Sequence, residues 1–190
     1  MSRKIEILET AKKLFNENNT QAVTTNHIAK AMGISPGNLH YHYKNREEII
    51  QILYTQMREK MTLSIEALPK TPDEIIEHQK ILIAIQWEYR FFFREMLFLL
   101  SRDEVLKMLY IRDNIAHRSR IAIVIENFII SGELTQEAVF MKEYIVDAIL
   151  MTWQFHTSYM QTLGKVLDEK NVEEAVTYTN NVMKPYIRKQ

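Results

Sequence analysis

The sequence predicts an all-α protein of about nine helices, in which a small three-helix unit precedes a larger helical body. Three observations carry that prediction. Apolar residues recur at steps of three and four, and nothing from Asp73 to Gln190 alternates as a strand would. Breaks fall at residues that end or start helices: Asn18-Asn19, Gly33, Ser35-Pro36, Pro69 to Pro72, Ser131-Gly132-Glu133 and Gly164. The stretch from Thr24 to Arg46, TTNHIAKAMGISPGNLHYHYKNR, reads as two short helical patterns split by a glycine turn.

In order along the chain, Ile7, Leu8, Ala11, Leu14 and Phe15 line one face of an opening amphipathic helix. Asn18 and Asn19 suit its C-terminal end. Thr24 or Thr25 can cap a second helix, which buries Ile28, Ala29 and Met32 and stops at Gly33. Ser35 caps the third, and Pro36 takes its first position, where a missing amide hydrogen costs nothing. Leu39 and Tyr43, four apart, share its buried side. Gly37, Asn38, His40, Tyr41 and His42 are left facing outward, a face made for hydrogen bonding rather than packing.

A longer helix is expected from Glu47 to about Leu68, its acidic start favourable to the helix dipole. Pro69, Thr71 and Pro72 form the clearest joint. Helical patterns then run over about 73–87, 89–101, 103–131, 136–164 and 171–188. The helix over 136–164 carries two apolar rows: Phe140, Tyr144, Ala148, Met151, Phe155 and Tyr159 form one, and Met141, Ile145, Ile149, Trp153 and Met160 the other. Two apolar sides need two partners, and one of them can be a second subunit. Val172, Val176, Thr179, Met183 and Tyr186 give the last helix a packing face.

Composition narrows the function classes. The 190 residues contain no Cys, four Gly and four Pro, which excludes disulfides, cysteine-held metals and thiol catalysis. No apolar run reaches ~18 residues and no signal-peptide pattern opens the chain, so a cytoplasmic protein without membrane contact is expected. Net charge is zero, yet residues 1–60 carry nine Lys/Arg against six Asp/Glu, and the remainder fifteen against eighteen. A mildly basic head on an acidic body is compatible with a nucleic-acid module. There is no phosphate-binding glycine loop, no H-E-x-x-H and no G-x-S-x-G, so no enzyme is predicted. Asp73-Glu74 and Asp103-Glu104 read as capping charges at helix starts. His40 and His42 stand two apart and point to different faces, whereas zinc favours i, i+4 pairs; no metal and no cofactor is expected.

The segment VTTNHIAKAMGISPGNLHYHYKNREEII resembles the N-terminal helix-turn-helix of the TetR family of bacterial transcriptional regulators. Matching positions are Thr24, Thr25, Ile28, Ala29, Gly33, Ser35, Gly37, Leu39, His42, Tyr43, Arg46, Glu48 and Ile49. His40 departs from the usual Tyr, and Asn19 from a frequent Gly. The resemblance implies a helix-turn-helix DNA-binding domain over residues 1–46, joined to a helical ligand-binding and dimerisation domain over 47–190. Residues 47–68 form the connecting helix, whose tilt would move the DNA-reading unit.

It further implies a dimeric regulator, a repressor above all, on a pseudopalindromic operator in double-stranded DNA. A major groove admits one helix whose N-terminal residues reach base edges. By residue chemistry Asn38 can pair with adenine, Gly37 permits close approach, and Asn26 is a second base reader. The resemblance places Pro36, Gly37 and Asn38 nearest the bases. Thr25, His40, Tyr41, His42, Lys44 and Arg46 are positioned for phosphate oxygens.

QWEYRFFFREMLFLLSRDEVL, from Gln86 to Leu106, resembles a C-terminal domain found in part of the same family. Within the body, Trp87, Phe92, Met96, Met108, Met151 and Phe155 are the candidate lining of a cavity for a small apolar or amphipathic effector. Arg90, His117 and His156 are candidate polar anchors, with surface or core roles as the alternative. As in the resembled family, the last two helices of each subunit would build the homodimer. Two other readings stay open: a constitutive or protein-controlled regulator with a packed body, and a helical small-molecule carrier or enzyme.

Overall fold

A computed structural model describes residues 2–166 and 168–188, except for the side chain of Asn171. Nine α-helices span these residues: α1 Arg3–Glu17, α2 Thr25–Ala31, α3 Pro36–His42, α4 Arg46–Met61, α5 Pro72–Glu88, α6 Arg90–Arg102, α7 Glu104–Ser131, α8 Glu137–Thr162 and α9 Glu169–Met183. No strand occurs among the described residues; Leu134 and Ile187 form an isolated antiparallel bridge. The all-α expectation is thereby met, and no helix of the described chain is long and apolar enough to cross a membrane.

Two expected boundaries move. α4 ends at Met61 rather than running to Leu68. The Leu63 carbonyl is taken instead by Arg120 Nε at 3.0 Å, and Leu68 and Pro69 are buried, so tertiary partners replace the helical ones. α9 ends at Met183 and is followed by a 3₁₀ turn, Lys184–Tyr186, because Pro185 has no amide hydrogen to continue the ladder.

The chain divides into two compact units. One comprises the residues up to Lys60 together with Tyr89–Tyr110. Its core gathers Ile7, Ala11 and Phe15 of α1, Ile28 of α2, Leu39 of α3, Ile49 and Leu53 of α4, and Phe91 and Phe92 of α6, all but fully buried. The phenyl rings of Phe15 and Phe91 meet at 5.4 Å.

Polar groups lock α6 to the end of α1. Arg94 donates from Nη2 to the carbonyls of Phe15 (2.9 Å) and Asn18, and from Nη1 to that of Asn16. The Glu95 carboxylate accepts from both the amide (2.9 Å) and the hydroxyl (2.6 Å) of Thr20. Charge-assisted bonds to backbone groups left over at a helix end are the strong kind. Glu95→Ala would strand the Thr20 donors and remove the carboxylate that also pairs with Arg94 Nη2 at 2.7 Å, leaving Arg94 its carbonyl acceptors alone. It is expected to cost about 2–3 kcal/mol in urea unfolding, with Glu95→Gln intermediate.

The other unit comprises Met61–Glu88 and the chain from Ile111 onward. Its core joins Ile125, Phe128 and Ile129 of α7, Leu134 of the following turn, and Ala138, Ile145, Val146 and Leu150 of α8. Gly132 turns the chain between α7 and α8 with φ +82°, a conformation L side chains resist. α9 buries Val172, Ala175 and Thr179, packing on α8 and α5. Arg118 ties α7 to α8 through Asp147 (2.7 Å) and Glu143 (2.6 Å), and Lys142 reaches Glu126 at 2.7 Å.

The two rows of α8 separate except at Met141, which belongs to the second row but is exposed, and Ala148, which belongs to the first but is half-buried. Ile145, Trp153 and Met160 are buried and Ile149 half-buried. Phe140, Tyr144, Met151, Phe155 and Tyr159 are exposed, Phe140 to 89%.

Candidate nucleic-acid interface and effector cavity

α2 and α3 are short, so their ends carry much of their specification. Thr24 Oγ1 accepts from the His27 amide at 3.3 Å, while the His27 imidazole lies within bonding distance of the Thr24 amide, closing a capping box. Gly33 makes the turn at φ +64°. Ser35 Oγ then accepts from the Asn38 amide at 3.2 Å, with Pro36 at the first position of α3. Leu39 and Tyr43 anchor α3 from beneath, and the Tyr43 hydroxyl donates to the Lys4 carbonyl at 3.1 Å. That burial, with the Glu48 carboxylate nearby, raises the Tyr43 pKa, so the phenol stays a donor.

With α3 held on that side, its other side faces out. Asn26, Pro36, Gly37, Asn38, His40, Tyr41 and Lys44 are exposed, Tyr41 to 85%, and Thr25 is half-buried at the start of α2. A Cβ at Gly37 would meet nothing closer than Ser35 Oγ at 4.0 Å, so the protein itself does not require glycine there. His40 Nδ1 lies 3.2 Å from the Lys44 carbonyl. His42 is half-buried, edge-on to Tyr41 at 5.1 Å, with Nδ1 buried and unpartnered.

Arg46 differs from the rest of the set. Its Nη1 donates to the Thr20 carbonyl at 2.9 Å and its Nε and Nη2 to Glu47, so the guanidinium is spent inside the unit. Lys44 is the exposed cation at the end of α3. Sequence reasoning passed over Lys4, exposed on α1, which the Tyr43–Lys4 bond brings to the same end of α3. A lysine near the start of α1 was the available signal, but nothing local linked it to Tyr43.

The second unit holds a partly open cavity of about 470 Å³ among α5, α7, α8, α9 and the segment after α4. That volume lies within the usual range for a drug-sized ligand. One face of α7 lines it with His117, Arg120, Ile121, Val124, Ile125 and Phe128. Trp153 and Leu150 come from α8, His78 and Leu82 from α5, and Thr179 from α9. Burial first, then the nearby His78 and Arg120, hold the His117 pKa down to about 4; burial also lowers that of His78.

None of the six residues expected as lining is among those around the cavity. Phe92 and Met96 are buried core of the first unit, Trp87 is half-buried, and Met108, Met151 and Phe155 are exposed. Helical spacing marks an apolar side chain but not which of several apolar environments it enters. Of the candidate anchors, His117 lines the cavity; Arg90 and His156 do not.

Known families match residues 7–190 between them. The family of bacterial regulatory proteins named for TetR matches residues 7–52, and the family described as bacterial transcriptional repressor, also TetR, matches residues 48–190. The biofilm operon icaADBC HTH-type negative transcriptional regulator IcaR of Staphylococcus epidermidis is 26% identical over 181 residues, 88% of this chain and 91% of that protein. The HTH-type transcriptional regulator QacR of Staphylococcus aureus is 45% identical over 49 residues, 26% of each chain.

Among solved structures, a TetR-family regulator from Marinobacter aquaeolei VT8 superposes with a TM-score of 0.89 at 21% identity, over 99% of this chain and 92% of its own. SmeT, the repressor of a Stenotrophomonas maltophilia multidrug efflux pump, does so with 0.68 at 15% identity, over 99% and 92%. These likenesses establish the fold. With the reading helix-turn-helix built as described and the matches running from residue 7 to residue 190, the chain belongs to the TetR family of bacterial transcriptional regulators and is not an enzyme.

Proposed function

We propose that the protein is a cytoplasmic, dimeric repressor that binds a pseudopalindromic operator and leaves it when a small amphipathic molecule fills the cavity of the second unit. The observation that carries the DNA reading is the division of α3: Leu39 and Tyr43 buried beneath, Pro36, Gly37, Asn38, His40 and Tyr41 exposed above. Asn38 and Asn26 read base edges, with Pro36 and Gly37 allowing close approach. Thr25, His40, Tyr41, His42 and Lys44 hold phosphates. Arg46, engaged by Thr20 and Glu47, supports the clamp from within. The sign of regulation follows IcaR, which is a negative regulator.

The exposed α8 row supports a homodimer through α8 and α9. The cavity favours effector control over the reading of a constitutive or protein-controlled regulator with a packed body. A ligand releases DNA only by preferring the non-binding state, and ~1.4 kcal/mol of preference changes the ratio about tenfold.

A footprint on the DNA upstream of the protein's own gene tests the DNA reading; absence of sequence-specific protection there and on selected random DNA refutes it. On the operator found, Asn38→Ala is expected to cost on the order of 1–3 kcal/mol at one or two base pairs and little on random DNA. Lys44→Ala should weaken both and reduce the salt slope by roughly one. Equal losses for Asn38→Ala on operator and random DNA would remove its reading role.

A further inference from the structure

The α7 face that lines the cavity changes character along its length. His117 and Arg120 stand toward its N-terminal part, followed by Ile121, Val124, Ile125 and Phe128. At 1.5 Å per residue, Arg120 and Phe128 are separated by about 12 Å along the helix. Arg120 spends Nε on the Leu63 carbonyl and has no carboxylate partner among the described residues. His78, from α5, lines the same cavity and is close enough to His117 to depress its pKa, as Arg120 is. Glu133, the carboxylate of the lining, lies beyond the far end of α7, thirteen residues from Arg120. Trp153, only 7% exposed and also lining the cavity, has its indole Nε1 buried with no hydrogen-bond partner.

We propose that the cavity's ligand is an amphipathic carboxylate, its acid group received by Arg120, His117 and His78 and its hydrocarbon chain lying along Ile121, Val124, Ile125 and Phe128. The proposal rests on the cavity being the effector site. A neutral apolar occupant would strip water from Arg120 and give nothing in return, which is costly for a charge. A cation would meet one fixed positive charge and two imidazoles. An anion satisfies the guanidinium with charge-assisted hydrogen bonds.

The test uses the full-length protein without DNA and isothermal titration calorimetry with decanoate, decanol and decylamine, below their aggregation concentrations. Decanoate is expected to bind at least tenfold more tightly than decanol, with decylamine weakest. Arg120→Gln should bring the decanoate-to-decanol ratio near one, while Arg120→Lys, which keeps the charge, retains most of it. Decanol binding as tightly as decanoate, a ratio unchanged in Arg120→Gln, or no binding by octanoate, decanoate or dodecanoate would each overturn the proposal. Operator affinity is measured separately. Selective decanoate binding that leaves DNA affinity unchanged would sink release by ligand while the carboxylate assignment stands.

Discussion

Replacing Phe140 and Met151 together by glutamate is expected to make the protein monomeric at micromolar concentration and to lower operator affinity by two orders of magnitude or more. Both lie on the outward row of α8, with Tyr144, Phe155 and Tyr159, and none of the five is buried within its own chain. From Phe140 to Tyr159 the row runs about 28 Å at 1.5 Å per residue, a length no isolated surface hydrophobe accounts for. Burying a large apolar side chain is worth about 1.5–3 kcal/mol, and in a twofold interface each substitution acts in both copies.

Four removed contacts and four introduced carboxylates thus total roughly 6 kcal/mol or more, against the about 8–12 kcal/mol of a micromolar to nanomolar dimer. A monomer then engages one half-site and forfeits the effective concentration that tethers the second, worth about 10²–10⁴-fold. Sedimentation velocity reads the first effect and a gel shift the second. Because the substituted positions are exposed, helicity by circular dichroism should be unchanged. A dimer persisting in the double variant would place the interface elsewhere.

The outward row itself was legible in the sequence, because a helix with two apolar sides must satisfy each, and the structure buries Ile145, Trp153 and Met160, with Val146 and Leu150 beside them, while leaving Phe140, Tyr144, Met151, Phe155 and Tyr159 exposed. Helix punctuation was legible for the same local reason: a glycine at φ +64° after α2, or a serine cap followed by proline at α3, acts within four residues. The misplaced features depend on partners far along the chain. Nothing near Leu63 announces that Arg120, 57 residues on, will take its carbonyl and help end α4 early.

Arg46 reads as a phosphate donor in a basic run until Thr20, 26 residues back, is seen to occupy it. Phe92 and Met96 read as cavity lining among the aromatic and Met residues of the body, yet they join the core of the first unit, where Arg94 and Glu95 grip the end of α1. The residues around the cavity of the second unit, Ile121, Val124 and Phe128, are ordinary aliphatic and aromatic positions whose common fate is set by how α5, α8 and α9 stand around α7.

His117 makes that cavity measurable through stability. Burial, with His78 and Arg120 nearby, places its folded pKa at about 4, against 6.5 for an unperturbed imidazole. Between those values the unfolded chain binds a proton that the folded protein does not, so stability rises with pH. The contribution is fully present above about pH 6.5 and is lost as pH falls toward 4. From pH 7 to pH 5, one such group withdraws about 2 kcal/mol.

Urea unfolding should therefore show wild type losing about 2 kcal/mol more than His117→Gln over that interval, with the two nearest in their pH trends above pH 6.5. His156, whose pKa is also lowered, remains in both proteins and cancels in the difference, as does His78 apart from its interaction with His117. Carboxylates titrate mainly below the interval and cancel likewise. Equal slopes in the two proteins would mean that water reaches His117 freely. A hydrated imidazole beside Arg120 would leave the cavity open at the end where the acid group of a ligand is received.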